Sequence, residues 1–319
     1  MKYLFLTKGG AYFPHLTKNY HGAGCFNWYK CMEGDVRLWS ELSRNPVELL
    51  DYDLIHINLA ADDIGLAAEI SKYLKESSTK LVVNMDYSIN YMDKSVHIHE
   101  LIADIQACDF AFGVEPAQTN LTHYIANMTK HDKQIKIMLL PHPVDLEYLN
   151  KKWIDYEHRQ DSLIFHYHKY DGHLDIPWLL CYGLDVKHKI VTGYTNTTWD
   201  VKEMPEWEFW PFAPWESYVD GLSRCKYGFE YRTHKAASRF IMEAAALGVP
   251  VVSTYDSFMG AMLFPSLHNP IEDFKAMRNS LELLTTKEDF RLSVAKEGLE
   301  QIEKYDFKHS KENMERLVE

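Results

Sequence analysis

The sequence predicts an α/β protein made of two Rossmann-like, doubly wound domains facing one another across a cleft. Three observations support that class. The chain has 319 residues, long for one compact domain and suited to two of about 150. Short apolar runs alternate with stretches of helical periodicity through the first half, as in a parallel sheet with helices on its faces. The alternation then restarts beyond Pro141 and Pro143.

In the first half the predicted strands are Tyr3–Thr7, Leu54–Asn58, Leu81–Met85, Phe110–Val114 and Ile135–Leu140. Helical periodicity is clearest over Ile64–Lys75 and Ser95–Ala107. The first strand runs into Gly9 and Gly10 and a long aromatic loop to Gly24, which is not the G-x-G-x-x-G fingerprint of dinucleotide binding. Gly10 either lets backbone amides approach a phosphate or sugar or forms a turn, and His15 in the same loop is an acceptor-side candidate. Asp86 follows a predicted strand and so faces the cleft, where parallel sheets place ligands. It could orient an acceptor hydroxyl, act as its base, or cap a turn. Pro141 and Pro143 stop the last strand of this half, and Asp145 is placed to cap the turn beyond.

In the second half, strands are predicted at Ser162–His166, His188–Thr192 and Glu208–Phe209, with helical pieces at Pro177–Cys181 and Trp215–Arg224. The tail from Pro270 to Glu319 is helical and charged, its longest amphipathic piece running from residue 285 to 305. Composition bounds the function further. With 46% hydrophobic residues the chain can build two cores, and no run of about 20 apolar residues offers a membrane span. The opening MKYLFLTKGG is too short an apolar stretch for a signal peptide. Cys25, Cys31, Cys108, Cys181 and Cys225 are odd in number and scattered, as reduced thiols in a cytoplasmic protein are. A net charge of −12 argues against broad affinity for nucleic acid or anionic membranes, though it leaves room for a local basic groove.

The stretch from Ser223 to Thr254 carries the most chemistry. It reads as a strand, a basic loop, a helix and a second strand. Ser238 is placed to cap the helix, and Gly248 with Pro250 behind it closes the other end. Arg232, His234 and Lys235 precede the helix, and Arg239 stands in its first turn. Cations around a helix N-terminus suit an anion such as a diphosphate. Glu243 is the one acid in this apolar helix and can accept the two hydroxyls of a ribose. The alternative is an ordinary βαβ unit with a solvated charged loop.

EAAALGVPVVST (243–254) resembles the donor-binding segment of GT-B glycosyltransferases, especially the large retaining family that includes glycogen and sucrose-phosphate synthases. That family carries two glutamates eight positions apart; Glu243 matches the second, which there binds the ribose, whereas Lys235 stands at the first. Tyr231 and Arg232 occupy the place of a Pro-Ser pair. LLPHPVDLEYL (139–149) is similar to the I-P-N-G-V-D-x-x-x-F segment that ends the family's first domain, and YDLIHIN (52–58) to its D-x-x-H-x-H-like strand end. Asp86 falls near a cleft histidine of the family.

The resemblance implies a GT-B architecture: an acceptor-side domain over 1–150, a donor domain over 151–305, and a final helix over 306–319 that crosses back. It also implies that HYHKYDGH (166–173) takes the place of the diphosphate loop, with His168 and Lys169 as its cations or as a surface turn. The Trp-rich loop 205–218 would pass under the nucleobase, Trp210 and Phe212 being its contacts unless they pack into the core. No cysteine or acid spacing completes a metal set beside the pairs His97/His99 and His166/His168, so no metal is assigned.

The expected function is transfer of a sugar from a nucleotide diphosphate sugar to a carbohydrate or other acceptor hydroxyl, retaining and without a metal or cofactor. Arg232, Lys235 and Arg239 would neutralise the leaving group, Ser238 would serve the helix terminus and Glu243 the ribose. Three alternatives stay open: a DNA-modifying glucosyltransferase of the phage type, a nucleotide-sugar epimerase, and a non-catalytic nucleotide-sugar binder.

Overall fold

In the computed structural model the apolar runs of the first half become β1 (Tyr3–Thr7), β2 (Asp35–Leu38), β3 (Leu54–Leu59), β4 (Lys80–Met85), β5 (Phe110–Gly113) and β6 (Lys136–Leu139). Residues 1–9, 27–59, 63–86, 98–128, 134–166, 175–194, 206–211, 214–233, 235 and 237–319 are described. The six strands form one parallel sheet in the order β2-β1-β3-β4-β5-β6. Helices α1 (Asn27–Cys31), α2 (Trp39–Leu42), α3 (Leu66–Leu74), α4 (Ile98–Ala107) and α5 (Pro116–Met128) accompany it. Strands β1 and β3 are buried at every position, the mark of a parallel sheet covered on both faces.

The second half forms a separate parallel sheet ordered β12-β11-β10-β7-β8-β9. Its strands are β7 (Gln160–His166), β8 (His188–Tyr194), β9 (Trp207–Pro211), β10 (Cys225–Glu230), β11 (Val251–Thr254) and β12 (His268–Asn269). Around it lie α6 (Leu146–Asn150), α7 (Asp175–Cys181), α8 (Trp215–Leu222), α9 (Arg239–Ala246), α10 (Phe258–Leu263), α11 (Phe274–Thr286) and α12 (Glu288–Ile302). The strand order reverses between β7 and β10, which creates a crevice at their carboxyl ends.

Local rules place several boundaries. Asp145 caps α6 by accepting the Tyr148 N–H at 2.9 Å. Helix α9 ends on Gly248, whose φ of 66° lies in the left-handed region that glycine tolerates. Arg159 grips that end, donating to the carbonyls of Leu247 (2.6 Å) and Gly248 (3.0 Å) with its guanidinium over the Trp153 ring. Two elements depart from expectation. Strand β2 has an alternating charged and apolar sequence, is only partly buried, and lies at the sheet edge, so it lacks the apolar run that marks its neighbours. The amphipathic tail piece is split at Lys287, which is extended and separates α11 from α12.

The last helix, α13 (Phe307–Val318), buries Met314 and Leu317 with Tyr3, Phe5, Trp28 and Phe112 of the first half. Cys31 Sγ donates to the Phe307 carbonyl at 3.0 Å, and Lys311 pairs with Glu33 at 3.0 Å. The segment entering α13 runs beside the segment leaving β6: the Val144 N–H donates to the Tyr305 carbonyl at 2.8 Å. Among the described residues no helix is long and apolar enough to cross a membrane.

A polar chain threads the first sheet. The Tyr3 hydroxyl meets His56 Nδ1, His56 Nε2 meets Asn84 Oδ1 at 2.6 Å, and Asn84 Nδ2 donates to Asn58 Oδ1 at 2.7 Å. His56 is fully buried among Phe5, Trp28 and Phe112. Burial pushes its imidazole down to about 3; the Asn84 hydrogen bond opposes the shift and His142 adds to it. The unfolded ring titrates near 6.5. Below that pH the unfolded chain binds a proton that the folded chain refuses, so stability present above pH 6.5 is lost as pH falls toward 3. His56→Gln should therefore lose about 2–3 kcal/mol less than the wild type between pH 7 and pH 4.5, read from urea midpoints. Equal losses in both proteins would show that this ring does not drive the acid sensitivity.

Candidate functional site

The chemistry-bearing side chains gather at the carboxyl ends of both sheets. Strand β10 ends in Glu230, followed by Arg232 and the loop into α9. Thr254, at the end of β11, fixes the backbone of Arg232 from both sides: its hydroxyl accepts the Arg232 N–H at 3.0 Å and donates to the Arg232 carbonyl at 2.7 Å. Ser238 is the N-cap of α9, its hydroxyl accepting the Ile241 N–H at 3.3 Å while donating to Glu230 Oε1 at 2.7 Å. The hydroxyl in the sequence is thus a cap and a link to the strand end at once.

Arg232 is buried, and its Nη2 donates to Glu230 Oε1 at 2.7 Å. His166, at the end of β7, brings Nδ1 to 3.4 Å from the same oxygen and stacks its ring on Phe240. Burial alone would raise the Glu230 carboxyl, but the Arg232 charge and His166 outweigh it and hold the group far below the usual carboxylate range. One turn into α9, Glu243 Oε1 accepts from Trp215 Nε1 at 2.7 Å and from Arg239 Nε at 2.8 Å. Trp215 in turn packs its ring against Tyr148. Lys235 is exposed and acts electrostatically on Glu115, which lies just past β5 of the first half. Burial raises the Glu115 carboxyl, while the Ala117 and Gln118 amides and the Lys235 charge pull against that rise. Ala237 packs against the cores of both halves, so the loop before α9 bridges them.

On the first sheet Asp86 follows β4 and its Oδ2 lies 3.2 Å from Nε2 of His142, a buried residue between the two prolines after β6. His142 Nδ1 is buried and has no hydrogen-bond partner. Thr7, Lys8 and Gly9 at the end of β1 are ordered by Asp63, which accepts from the Thr7 hydroxyl (2.8 Å) and the Lys8 amide (2.6 Å).

The structure thus brings Arg232, Ser238, Arg239 and Glu243 together around α9, with Lys235 on the facing rim and Asp86 on the first sheet. Trp210 is half-buried in β9, its ring so close to Gly221 that any Cβ there would lie 2.4 Å from it. Gly10, His15, His168, Lys169 and Phe212 lie outside the described residues. Glu230, His142 and the Trp215 contact went unassigned by sequence reasoning. For Glu230 a signal existed, an acid ending an apolar strand where a parallel sheet meets its ligands. For His142 none did. A cavity of about 250 Å³ near Trp28, Pro141 and Tyr305 is lined by none of the candidate residues.

No protein-family model matches the sequence, and no curated protein does. Solved structures match over nearly the whole chain. The Anabaena protein HepE, solved in complex with UDP, is 12% identical with a TM-score of 0.68 over 100% of this chain and 99% of its own. Sucrose-phosphate synthase from Thermosynechococcus elongatus is 12% identical with a TM-score of 0.68, over 100% of this chain and 98% of its own. An α-glucosyltransferase, solved in complex with UDP-glucose and DNA containing an abasic site, is 10% identical with a TM-score of 0.67, over 99% of each chain. Two parallel six-stranded sheets with flanking helices, aligned end to end with these proteins, give the chain the two-domain GT-B fold of glycosyltransferases.

Proposed function

We propose that the chain is a glycosyltransferase that moves a sugar from a nucleoside diphosphate sugar, with UDP as the first nucleotide to test, to an acceptor hydroxyl. The observation that carries this reading is Glu243, a nearly buried carboxylate one turn into a helix whose N-terminus is capped by Ser238 and flanked by Arg232, Lys235 and Arg239. Trp215 and Arg239 both hold Oε1, which leaves Oε2 for a ribose hydroxyl. The helix terminus and its cations then stabilise the charge that develops on the departing diphosphate. Neither a divalent metal nor a cofactor belongs to this reading, and transfer with retention follows the resemblance of the α9 segment.

The division at about residue 150, with a donor domain to 305 and a returning helix, is part of the same proposal, as is residence in the cytoplasm. The described cysteines Cys31, Cys108, Cys181 and Cys225 are free and buried, as a reducing compartment allows. Trp210 is proposed as a base contact, together with Phe212, and His168 and Lys169 as diphosphate contacts. Gly10 and His15 belong to the first-sheet side of the cleft. On that side Asp86 orients the acceptor or takes its proton, and His142 positions Asp86. A DNA hydroxyl is the acceptor variant raised by the DNA-bound α-glucosyltransferase.

Titration calorimetry with UDP tests the donor half. Glu243→Ala should weaken UDP by about 10- to 150-fold, the worth of a charge-assisted hydrogen bond, with the melting temperature little changed. Unaltered UDP affinity would remove the ribose assignment. The chemical step is read by UDP release from UDP-sugars with water as acceptor. There Asp86→Asn should slow release by about 10²- to 10⁴-fold while UDP affinity stays constant. A wild type that binds UDP-sugars and never releases UDP, with or without added carbohydrate or DNA, would instead be a binding protein.

A further inference from the structure

The proposed donor site contains a second carboxylate with an unmet bond, and this inference rests on the donor reading above. Strands β7 and β10 flank the point where the order of the second sheet reverses, and they end in His166 and Glu230. Glu230 is 1% exposed. Its Oε1 is crowded, with Arg232 Nη2 and the Ser238 hydroxyl both at 2.7 Å and His166 Nδ1 at 3.4 Å. Its Oε2 is buried and accepts no hydrogen bond. An unsatisfied buried acceptor costs about 1–3 kcal/mol, and more when it is charged. A donor from outside the fold would remove that cost.

Three features specify the donor. Glu230 and Arg232 form an ion pair and cancel one another, so a neutral polar group suits this spot better than a second anion. Ser238 stands between the two acids: its hydroxyl holds Glu230, and Glu243 lies five residues further along α9, about 7–8 Å of helix. A nucleoside diphosphate sugar is strung in the order nucleoside, diphosphate, sugar. With the ribose at Glu243 and the diphosphate at the helix terminus, the part that falls at Glu230 is the sugar. Sugar hydroxyls donate hydrogen bonds, whereas ionised phosphate oxygens cannot. His166, whose side chain is 21% exposed, is the outermost member of the group and stands where a ligand would enter.

We propose that Glu230 binds a hydroxyl of the transferred sugar through Oε2 and so selects the donor. The measurement is titration calorimetry with UDP, then UDP-glucose, UDP-galactose and UDP-N-acetylglucosamine, then the monodeoxy analogues of the tightest of these. In the wild type one deoxy analogue should bind about 10- to 150-fold more weakly than its parent. In Glu230→Gln the parent should weaken toward that value relative to UDP in the same variant, and the same deoxygenation should cost little more. Glu230→Asp, which keeps the charge and shortens the reach, should also weaken the sugar and spare UDP. The proposal is overturned if no UDP-sugar binds more tightly than UDP, if no single hydroxyl matters, or if the deoxy penalty persists undiminished in both variants. The last result would leave Glu230 as a pin for Arg232 alone. Failure of the wild type to bind UDP at all would overturn the donor site itself, a different outcome from UDP binding without discrimination among sugars.

Discussion

The two passages of the chain between its halves run side by side, and the facing of the two sheets depends on their contact. Val144, leaving the first sheet, donates its N–H to the carbonyl of Tyr305, which leads into the last helix. Asp306 then caps that helix by accepting the His309 N–H at 2.7 Å. Beyond it Met314 and Leu317 enter the core around Tyr3, Phe5 and Trp28. An apolar stripe anchored this way costs several kcal/mol to detach, so the first half holds the end of the second as a fixed part of its own surface. Near the carboxyl ends of the sheets Ala237 packs against both cores, so the two halves also meet there.

Charge within the cleft follows a local balance. The protein carries a net charge of −12, yet cations of the site stand beside acids: Arg232 by Glu230, Arg239 by Glu243 and Lys235 near Glu115. Pairing of this kind gives the cleft little long-range field, so steering of an anionic ligand from bulk water contributes little. On the proposed donor reading, capture would depend instead on short-range exchange, in which backbone amides, hydroxyls and half-committed guanidinium groups trade protein partners for ligand oxygens. Such exchange is sensitive to geometry, so on the same reading a strongly acidic protein would take a diphosphate without binding every polyanion it meets.

Much of the fold was legible because parallel strands covered on both faces write themselves as apolar runs. Strands β1, β3 and β4 appear within one residue of where periodicity puts them. Local rules were equally readable at Ser238, Asp145 and Gly248, since a cap needs only its neighbours. Strand β2 was not, because an edge strand with alternating charges carries no such run. Glu230 and His142 escaped for a different reason. His142 becomes meaningful only beside the distant Asp86, and Glu230, though marked as an acid closing an apolar strand, shows its role only once His166 stands alongside. Proximity across a sheet leaves no trace in composition or spacing. Lys235 shows the converse, since it breaks the motif yet stands opposite Glu115, a relation that no single segment reveals.

The placement of the cysteines gives the molecule a set of internal clocks. Cys108 sits in the core of the first half and Cys181 and Cys225 in that of the second, while Cys31 donates to Phe307 at the seam with the last helix. Burial pushes the Cys31 thiol up to about 12, so its reactive thiolate is scarce while the seam is shut. Alkylation at that sulfur must wait for the helix to lift, whereas alkylation at the other three described cysteines waits for a core to open. The pace at which each thiol is consumed by one reagent would therefore separate undocking of the helix from unfolding of either half, with no probe added to the natural chain.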